Sequence, residues 1–159
     1  MTEEQDKYEG GCTCGAIRYR MESNPLFVHC CHCHWCQRET GTSYALNAMI
    51  EADRVTLLNG NPEKFPIPSN SGKGQDIWRC PECLIAVWSN YSAAGDRINF
   101  VRVGTLDEAH LFPPDIHIFT SSKQPWIVIP GGQDAVIEYY DRNKYWPADS
   151  LARRKFLFA

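Results

Sequence analysis

The sequence predicts a single, mainly β domain of short antiparallel strands, and three observations lead to this fold class. The chain has 159 residues, about the size of one ordinary domain. Short segments with alternating apolar and polar residues recur along it, which is the pattern of strands with one buried face. Glycine, proline and Asn-Gly turn signals separate these segments. Because 43% of the residues are hydrophobic, the chain can form a real core, and we expect one domain over residues 1–159.

The N-terminal half contains three predicted strands after a solvated lead-in over residues 1–10. They lie over residues 16–21, 44–50 and 54–58. In the first strand, Ile17, Tyr19 and Met21 share one face, as alternation requires. The Asn59-Gly60 pair ends the third strand with a strong turn signal.

The C-terminal half is predicted to continue the β structure. Three prolines within residues 62–68 predict a loop, and strands follow over residues 84–88, 97–103, 116–119 and 126–129. Residues 135–140 are open to helix or strand. A short helix is expected over residues 151–158, with Arg153, Arg154 and Lys155 on a solvated face. We refer to residues 134–159 as the tail.

Charge and hydropathy argue against two classes of partner. The formal net charge is −3, whereas nucleic-acid binders usually carry a basic excess. No apolar run approaches the roughly 20 residues that span a bilayer. The first six residues are acidic and polar, unlike a secretory signal. We therefore expect a cytoplasmic protein that binds neither nucleic acid nor membrane, and the sequence leaves its oligomeric state open.

The eight cysteines are the most informative residues. In a reducing compartment, such a number indicates bound metal rather than disulfides. Two outer pairs, Cys12/Cys14 and Cys80/Cys83, have the short spacing of zinc knuckles. Between them, Cys31, Cys33 and Cys36 form a triplet spaced C-x-C-x-x-C within the stretch 28–41. Three protein ligands and one open position are the arrangement of a catalytic zinc.

Two divisions of the eight thiols are sensible. In one, they form two closed four-cysteine sites. In the other, the outer pairs close one structural site, the triplet forms an open site, and Cys30 is left over. The spacing favours the second division, because adjacent side chains of an extended segment point to opposite faces. A zinc ribbon of Cys33/Cys36 with Cys80/Cys83 stays an alternative in which the stretch 28–41 does no chemistry.

Three motifs in order give the chain a family likeness. They are Gly11-Cys12-Thr13-Cys14-Gly15, then Cys31-His32-Cys33-His34-Trp35-Cys36-Gln37-Arg38, then Cys80-Pro81-Glu82-Cys83. Together with the later segments 103–107, 114–119 and 122–126, they make the chain resemble the glutathione-dependent formaldehyde-activating enzyme (GFA) family, which includes centromere protein V-like proteins. The likeness covers roughly residues 8–130.

The resemblance implies a β-tent fold with two zinc ions per chain. It implies a structural zinc on Cys12, Cys14, Cys80 and Cys83, and a catalytic, labile zinc on the triplet Cys31, Cys33 and Cys36. It also implies a carbon–sulfur lyase that adds a glutathione-like thiol to a small aldehyde such as formaldehyde. The main alternative is a non-catalytic binding module with two structural zinc sites. A thiol redox or metal-buffering role for Cys30 and Cys31 ranks last.

Some positions concern the substrate or depart from the family pattern. Glutathione carries two carboxylates, so a nearby basic side chain is expected, and Arg38 is the best-placed candidate. We expect Phe119 and Trp126 to pack in the β core. The family usually has glycine where this chain has Leu84, so we expect a different turn there.

Overall fold

The computed structural model describes residues 6–159, which form eleven strands and three α-helices. Their bounds are β1 Tyr8–Gly11, β2 Arg18–Met21, β3 Phe27–Cys31, α1 His34–Thr40, β4 Ala45–Glu51, β5 Val55–Asn59, β6 Glu63–Ile67, β7 Gln75–Arg79, β8 Ala86–Tyr91, β9 Ile98–Arg102, β10 Ile116–Ile118, β11 Asp134–Ala135, α2 Arg142–Tyr145 and α3 Ala148–Leu157. No helix within the described residues is both long and apolar enough to cross a membrane.

The strands form two sheets. The smaller sheet has the order β1-β2-β5 and is antiparallel. The larger sheet has the order β11-β10-β3-β4-β9-β8-β7-β6. Strand β10 is parallel to both β3 and β11, whereas the other pairs of this sheet are antiparallel. The parallel pairing places Ile116 opposite His29 and His117 opposite Cys30, directly beside the cysteine-rich stretch.

Two clusters of buried side chains hold the sheets together. The first lies where the smaller sheet meets the larger one, and the rings of Tyr19 and Trp88 meet edge to face there at 5.6 Å. The second lies under strand β3 and includes Phe27, Tyr140 and Trp146. Fully burying a large apolar side chain contributes about 1.5–3 kcal/mol. The second cluster therefore stabilises the contact between β3 and the tail.

The prediction of a mainly β protein with short strands is confirmed. The strands predicted over residues 16–21, 44–50, 54–58, 97–103 and 116–119 correspond to β2, β4, β5, β9 and β10, with ends shifted by one or two residues. The strand predicted over residues 84–88 starts two residues later, and the helix predicted over 151–158 starts three residues earlier. Side-chain alternation identified most of these elements because β2, β4, β9 and β10 bury side chains, whereas β5 is mostly exposed and was identified by the turn signal that ends it.

Other expectations were wrong. Residues 8–10 of the predicted lead-in belong to β1, while its first five residues lie outside the described part of the chain. The proline-rich loop contains strand β6, which tolerates Pro66 because it is an edge strand. Residues 126–129 form no strand, and Trp126 is 69% exposed instead of packing in the core. Helix α1 was not predicted, because its seven residues belong to the cysteine-rich stretch, which was interpreted as a metal-binding loop.

The tail folds back onto the cluster under β3. The Trp146 indole donates a hydrogen bond of 2.7 Å to the Tyr140 hydroxyl, which in turn donates to Nε2 of His29 on β3. The Ser150 hydroxyl donates to the backbone oxygen of Leu26 at 2.6 Å. These bonds fix α2 and α3 beside the cysteine-rich stretch.

Candidate metal centres and the adjoining cavity

The outer pairs meet in one four-cysteine cluster between the two sheets. Cys12 and Cys14 lie in the turn between β1 and β2, and Cys80 and Cys83 lie in the turn between β7 and β8. Their four sulfur atoms all lie within 4.8 Å of one another. The cluster therefore joins a turn of the smaller sheet to a turn of the larger sheet.

The geometry of the four-cysteine cluster fits a zinc ion. The sulfur of Cys14 lies 3.6 Å from that of Cys12 and 3.7 Å from that of Cys80. Zn–S bonds of about 2.3 Å in a tetrahedron put neighbouring sulfurs about 3.8 Å apart. The backbone N–H groups of Ile17 and Glu82 donate to Cys12 and Cys80 sulfurs at 3.2 and 3.4 Å. Such donors stabilise thiolates, so the cluster can hold a divalent metal ion.

The triplet forms a second group at the junction of β3 and α1. Cys31 ends β3, Cys33 is the N-cap of α1, and Cys36 lies in its first turn. The Cys36 N–H donates to the Cys33 sulfur at 3.4 Å, and the Cys31 and Cys33 sulfurs are 3.4 Å apart. All three sulfurs lie within 4.8 Å of one another. The helix start thus turns three thiols toward one point.

Electrostatics at the triplet favours a bound cation. Hydrogen bonds from the thiols of Cys31 and Cys36 lower the pKa of Cys33 to about 3. The same contact with Cys33 raises the pKa of Cys31 well above its usual range. One thiolate is therefore stable, but three adjacent thiolates need a positive ion between them. Soft thiolate donors are ligands that zinc accepts, so the three residues present fit this metal.

Cys30 belongs to a third group on the opposite face of β3. Its sulfur lies 3.6 Å from Nε2 of His32, which lies 2.9 Å from Nδ1 of His117. The Nε2 atom of His117 donates to the Gln133 side-chain oxygen at 2.7 Å. The two imidazoles therefore form a hydrogen-bonded chain, in which only Nδ1 of His32 has no partner among the described residues. This chain ties the cysteine-rich stretch to β10, and Cys30 is separated from the triplet as expected.

A cavity of about 420 Å³ adjoins the triplet. This volume lies within the range of small-molecule sites, about 300–1,000 Å³. Cys31, Cys33 and Cys36 form part of its wall, and apolar side chains such as Met49 and Phe100 form another part. Among the described residues, none of the four cysteines of the outer pairs lines it. The triplet is therefore the cysteine group that borders this cavity.

Two polar side chains from neighbouring strands also line the cavity. Burial and the charge of Arg142 lower the pKa of His29 to about 3, so its ring is neutral at physiological pH. Asn47 on β4 accepts a hydrogen bond of 2.7 Å from Arg102 through its side-chain oxygen. Its amide nitrogen has no partner in residues 6–159 and is the group left to donate.

The structure gives a different outcome for each of three residues that the sequence singled out. Arg38 is exposed on α1 and does not line the cavity. Leu84 has φ = 65°, so it adopts the left-handed conformation that glycine favours, and the expectation of a different turn was wrong. Phe119 is half-buried: it packs against the cluster under β3, in line with the expectation, and it also lines the cavity.

Sequence reasoning missed the cavity residues that come from the tail. Tyr139, Arg142 and Arg154 all line the cavity. Arg154 is part of the basic run that was expected to be a solvated face, and its neighbour Arg153 is paired with Glu51 at 2.6 Å. The run of basic residues was the available sequence signal for these cavity residues, but its spacing does not predict which of its side chains faces the cavity.

Comparison with known proteins supports the likeness seen in the sequence. The model of the family described as glutathione-dependent formaldehyde-activating enzyme matches residues 7–122. A Halomonas elongata protein with the provisional name glutathione-dependent formaldehyde-activating enzyme is 25% identical over 127 residues, which are 76% of this chain and 80% of that protein. A crystal structure of a Rhodobacter sphaeroides protein is 18% identical with a TM-score of 0.46, covering 63% of this chain and 88% of that one. The family match includes both cysteine sites and ends before β11.

Proposed function

The chain belongs to the glutathione-dependent formaldehyde-activating enzyme family, and on this premise we propose that it is a zinc-dependent carbon–sulfur lyase. The proposed reaction is the reversible addition of the glutathione thiol to formaldehyde. We further propose two zinc ions per chain, a structural one in the four-cysteine cluster and a labile, catalytic one on the triplet. The high cysteine content supports a cytoplasmic, reducing location.

One observation carries the proposal: the triplet lies in the wall of a cavity, whereas the outer pairs do not. A purely structural zinc site has four protein ligands and needs no access. The triplet offers three sulfurs, and Cys30, the nearest further thiol in the sequence, belongs to the group on the other face of β3. A free coordination position beside a cavity is the arrangement that a substrate thiol requires.

The chemistry divides between the metal and the side chains of the chain. When bound, zinc lowers the pKa of a thiol and holds its sulfur in the orientation for attack. Asn47 lines the cavity with its amide nitrogen left to donate, so we assign to it a hydrogen bond to the aldehyde oxygen as negative charge develops there. In the addition, the sulfur–carbon bond forms, the carbonyl electron pair moves to oxygen, and the thiol proton ends on that oxygen through water.

The test is turnover of glutathione and formaldehyde by the zinc-loaded protein, with the product followed by NMR. We expect Cys33→Ser to reduce the rate to that of the uncatalysed reaction, because it removes one of the three thiolates. The fold should remain, since serine at an N-cap also accepts a hydrogen bond from the first turn.

Cys30→Ala is the matched control, because Cys30 is a neighbouring buried cysteine outside the triplet. We expect it to keep both turnover and zinc content. Turnover unchanged in Cys33→Ser would overturn the catalytic role of the triplet. A zinc-loaded wild-type protein that does not accelerate the reaction would overturn the proposed activity and favour the binding-module alternative.

A further inference from the structure

Two arginines of the tail face the cavity without a partner of opposite charge. Arg142 on α2 and Arg154 on α3 are both half-buried and line it. Their guanidinium carbons lie over aromatic rings, Arg142 at 5.2 Å from the Trp146 ring centre and Arg154 at 4.4 Å from that of Phe158. Stacking of this kind holds a guanidinium in place and leaves its N–H donors free for a ligand.

Neither guanidinium is neutralised by the protein. Within residues 6–159, Arg142 and Arg154 make no ion pair, while the neighbouring Arg153 is paired with a carboxylate. Partial burial, and then the nearby charge of Arg142, lower the pKa of Arg154. The described residues around the cavity include Lys73 but no aspartate or glutamate. The cavity therefore carries an excess of positive charge that an anionic ligand would balance.

We propose that Arg142 and Arg154 form a carboxylate-binding subsite that anchors the thiol substrate while its sulfur reaches the triplet. A guanidinium matches a carboxylate through two parallel N–H···O bonds, and such charge-assisted bonds are among the strongest in proteins. The same cavity then contains the triplet, which can bind the substrate sulfur through a metal, and the two arginines, which can bind a carboxylate. A ligand that uses both ends is a thiol carrying carboxylates, a description that glutathione satisfies. This inference rests on the proposed function for the role of the sulfur, but the anion subsite does not depend on turnover.

The subsite explains why the tail is folded back onto the cavity. The tail packs through Tyr140, Trp146 and Ser150, whose contacts are described above. These contacts position the short helix α2, which carries Arg142, and the start of α3, whose last turn carries Arg154. The sequence candidate Arg38, by contrast, is exposed outside the cavity.

The test measures binding of S-methylglutathione by calorimetry, because this ligand keeps both carboxylates and has no free thiol. We expect Arg142→Gln and Arg154→Gln each to weaken its binding by about tenfold, the loss of one charge-assisted interaction. Lys144→Gln and Lys155→Gln are matched controls, since each removes one positive charge from an exposed position on the same helices. We expect them to leave binding within about twofold, because exposed charges are largely screened.

Two further measurements keep the proposal testable. If Arg154→Gln does not fold, Arg154→Lys takes its place. Lysine keeps the positive charge but lacks the planar guanidinium that forms two parallel hydrogen bonds with a carboxylate. We therefore expect Arg154→Lys to weaken binding, but by less than Arg142→Gln does. The diethyl ester of S-methylglutathione should bind wild type and the arginine variants equally weakly, because it has no carboxylate.

The outcomes separate this proposal from the proposed function. Unchanged binding of S-methylglutathione in both glutamine variants would overturn the subsite, even if the wild-type protein turns over glutathione. No binding of S-methylglutathione to the wild-type protein would also overturn it. Weakened binding in the arginine variants, together with no turnover by the wild-type protein, would support the subsite and overturn the lyase activity.

Discussion

Leu84 adopts a backbone conformation that disfavours its own side chain. Its φ of 65° lies in the left-handed region, and its side chain is 56% exposed. The turn needs this conformation because the Leu84 N–H donates to the backbone oxygen of Cys80 at 2.9 Å. A non-glycine residue pays roughly 1–2 kcal/mol in this region. Closing the knuckle around Cys80 and Cys83 therefore carries a local strain.

We predict that Leu84→Gly stabilises the protein. Glycine removes the steric strain and loses little apolar burial, although it has a larger entropy loss on folding. The net gain should be about 1 kcal/mol, which raises the midpoint of thermal unfolding by about 2–4 °C in a domain of this size. Thermal unfolding of the zinc-loaded protein checks this, with Leu84→Ala as the control that keeps Cβ. An equal gain in Leu84→Ala would show that strain at Cβ is not the cause.

At the scale of elements, an ion pair of Arg153 anchors helix α3 to the larger sheet. Arg153 contacts both carboxylate oxygens of Glu51 on β4, with its Nε at 2.8 Å and a terminal nitrogen at 2.6 Å. Its other terminal nitrogen donates to the backbone oxygen of Asn24 at 2.9 Å. Glu51 is only 4% exposed, so removing this partner would leave a buried carboxylate with weaker pairing. The same helix carries Arg154 to the cavity, which couples stability to ligand binding.

Replacing Arg153 by methionine should lower the free energy of unfolding by about 3 kcal/mol, because a buried carboxylate loses its partner. The loss falls at the lower end of the range for such changes, since Arg54 remains 3.5 Å from Glu51. Denaturant unfolding measures this, and S-methylglutathione binding should weaken in parallel. Lys155→Met, an exposed change on the same helix, should leave stability within about 0.5 kcal/mol. Equal effects of the two substitutions would contradict the anchoring role of Arg153.

At the scale of the whole molecule, the two cysteine groups link segments that are separated by very different lengths of chain. The four-cysteine cluster joins turns that are 66 residues apart in sequence, as Cys14 and Cys80 show. The triplet draws its three sulfurs from six consecutive residues. A metal that closes a long loop offsets more chain entropy than one that closes a short loop. Metal in the four-cysteine cluster should therefore dominate stability.

We predict that the purified, zinc-supplemented protein contains about two zinc ions per chain, and that brief mild chelation removes one, because the triplet has only three protein ligands. Cys80→Ser and Cys33→Ser should each lose one zinc. Only Cys80→Ser should lower the thermal midpoint strongly, by about 10 °C or more, because structural zinc binding is also folding energy. Elemental analysis and thermal unfolding measure these quantities. Equal destabilisation by the two substitutions would contradict the division into structural and catalytic sites.

The fold class and the grouping of the thiols were predictable from sequence because both depend on local spacing. Alternation marked strand β2, where one face is buried. The C-x-C and C-x-x-C spacings grouped the cysteines, since ligands of one metal within a few residues need only a turn. Strand β6 was missed because its pairing with β7 determines it more than its own residues do. Helix α1 was missed because it belongs to the cysteine-rich stretch, which was interpreted as a loop.

The sequence by itself determined that this is a mainly β protein with a cysteine triplet and two outer cysteine pairs. The tertiary structure decided which thiols face a cavity and which charged groups lie beside them. Arg38 seemed closest along the chain, but the cavity receives Arg142 and Arg154 from a tail more than 100 residues further on. Long-range packing of Tyr140 and Trp146 sets that position. Such packing depends on the shape of the whole core, and no spacing within the sequence encodes it.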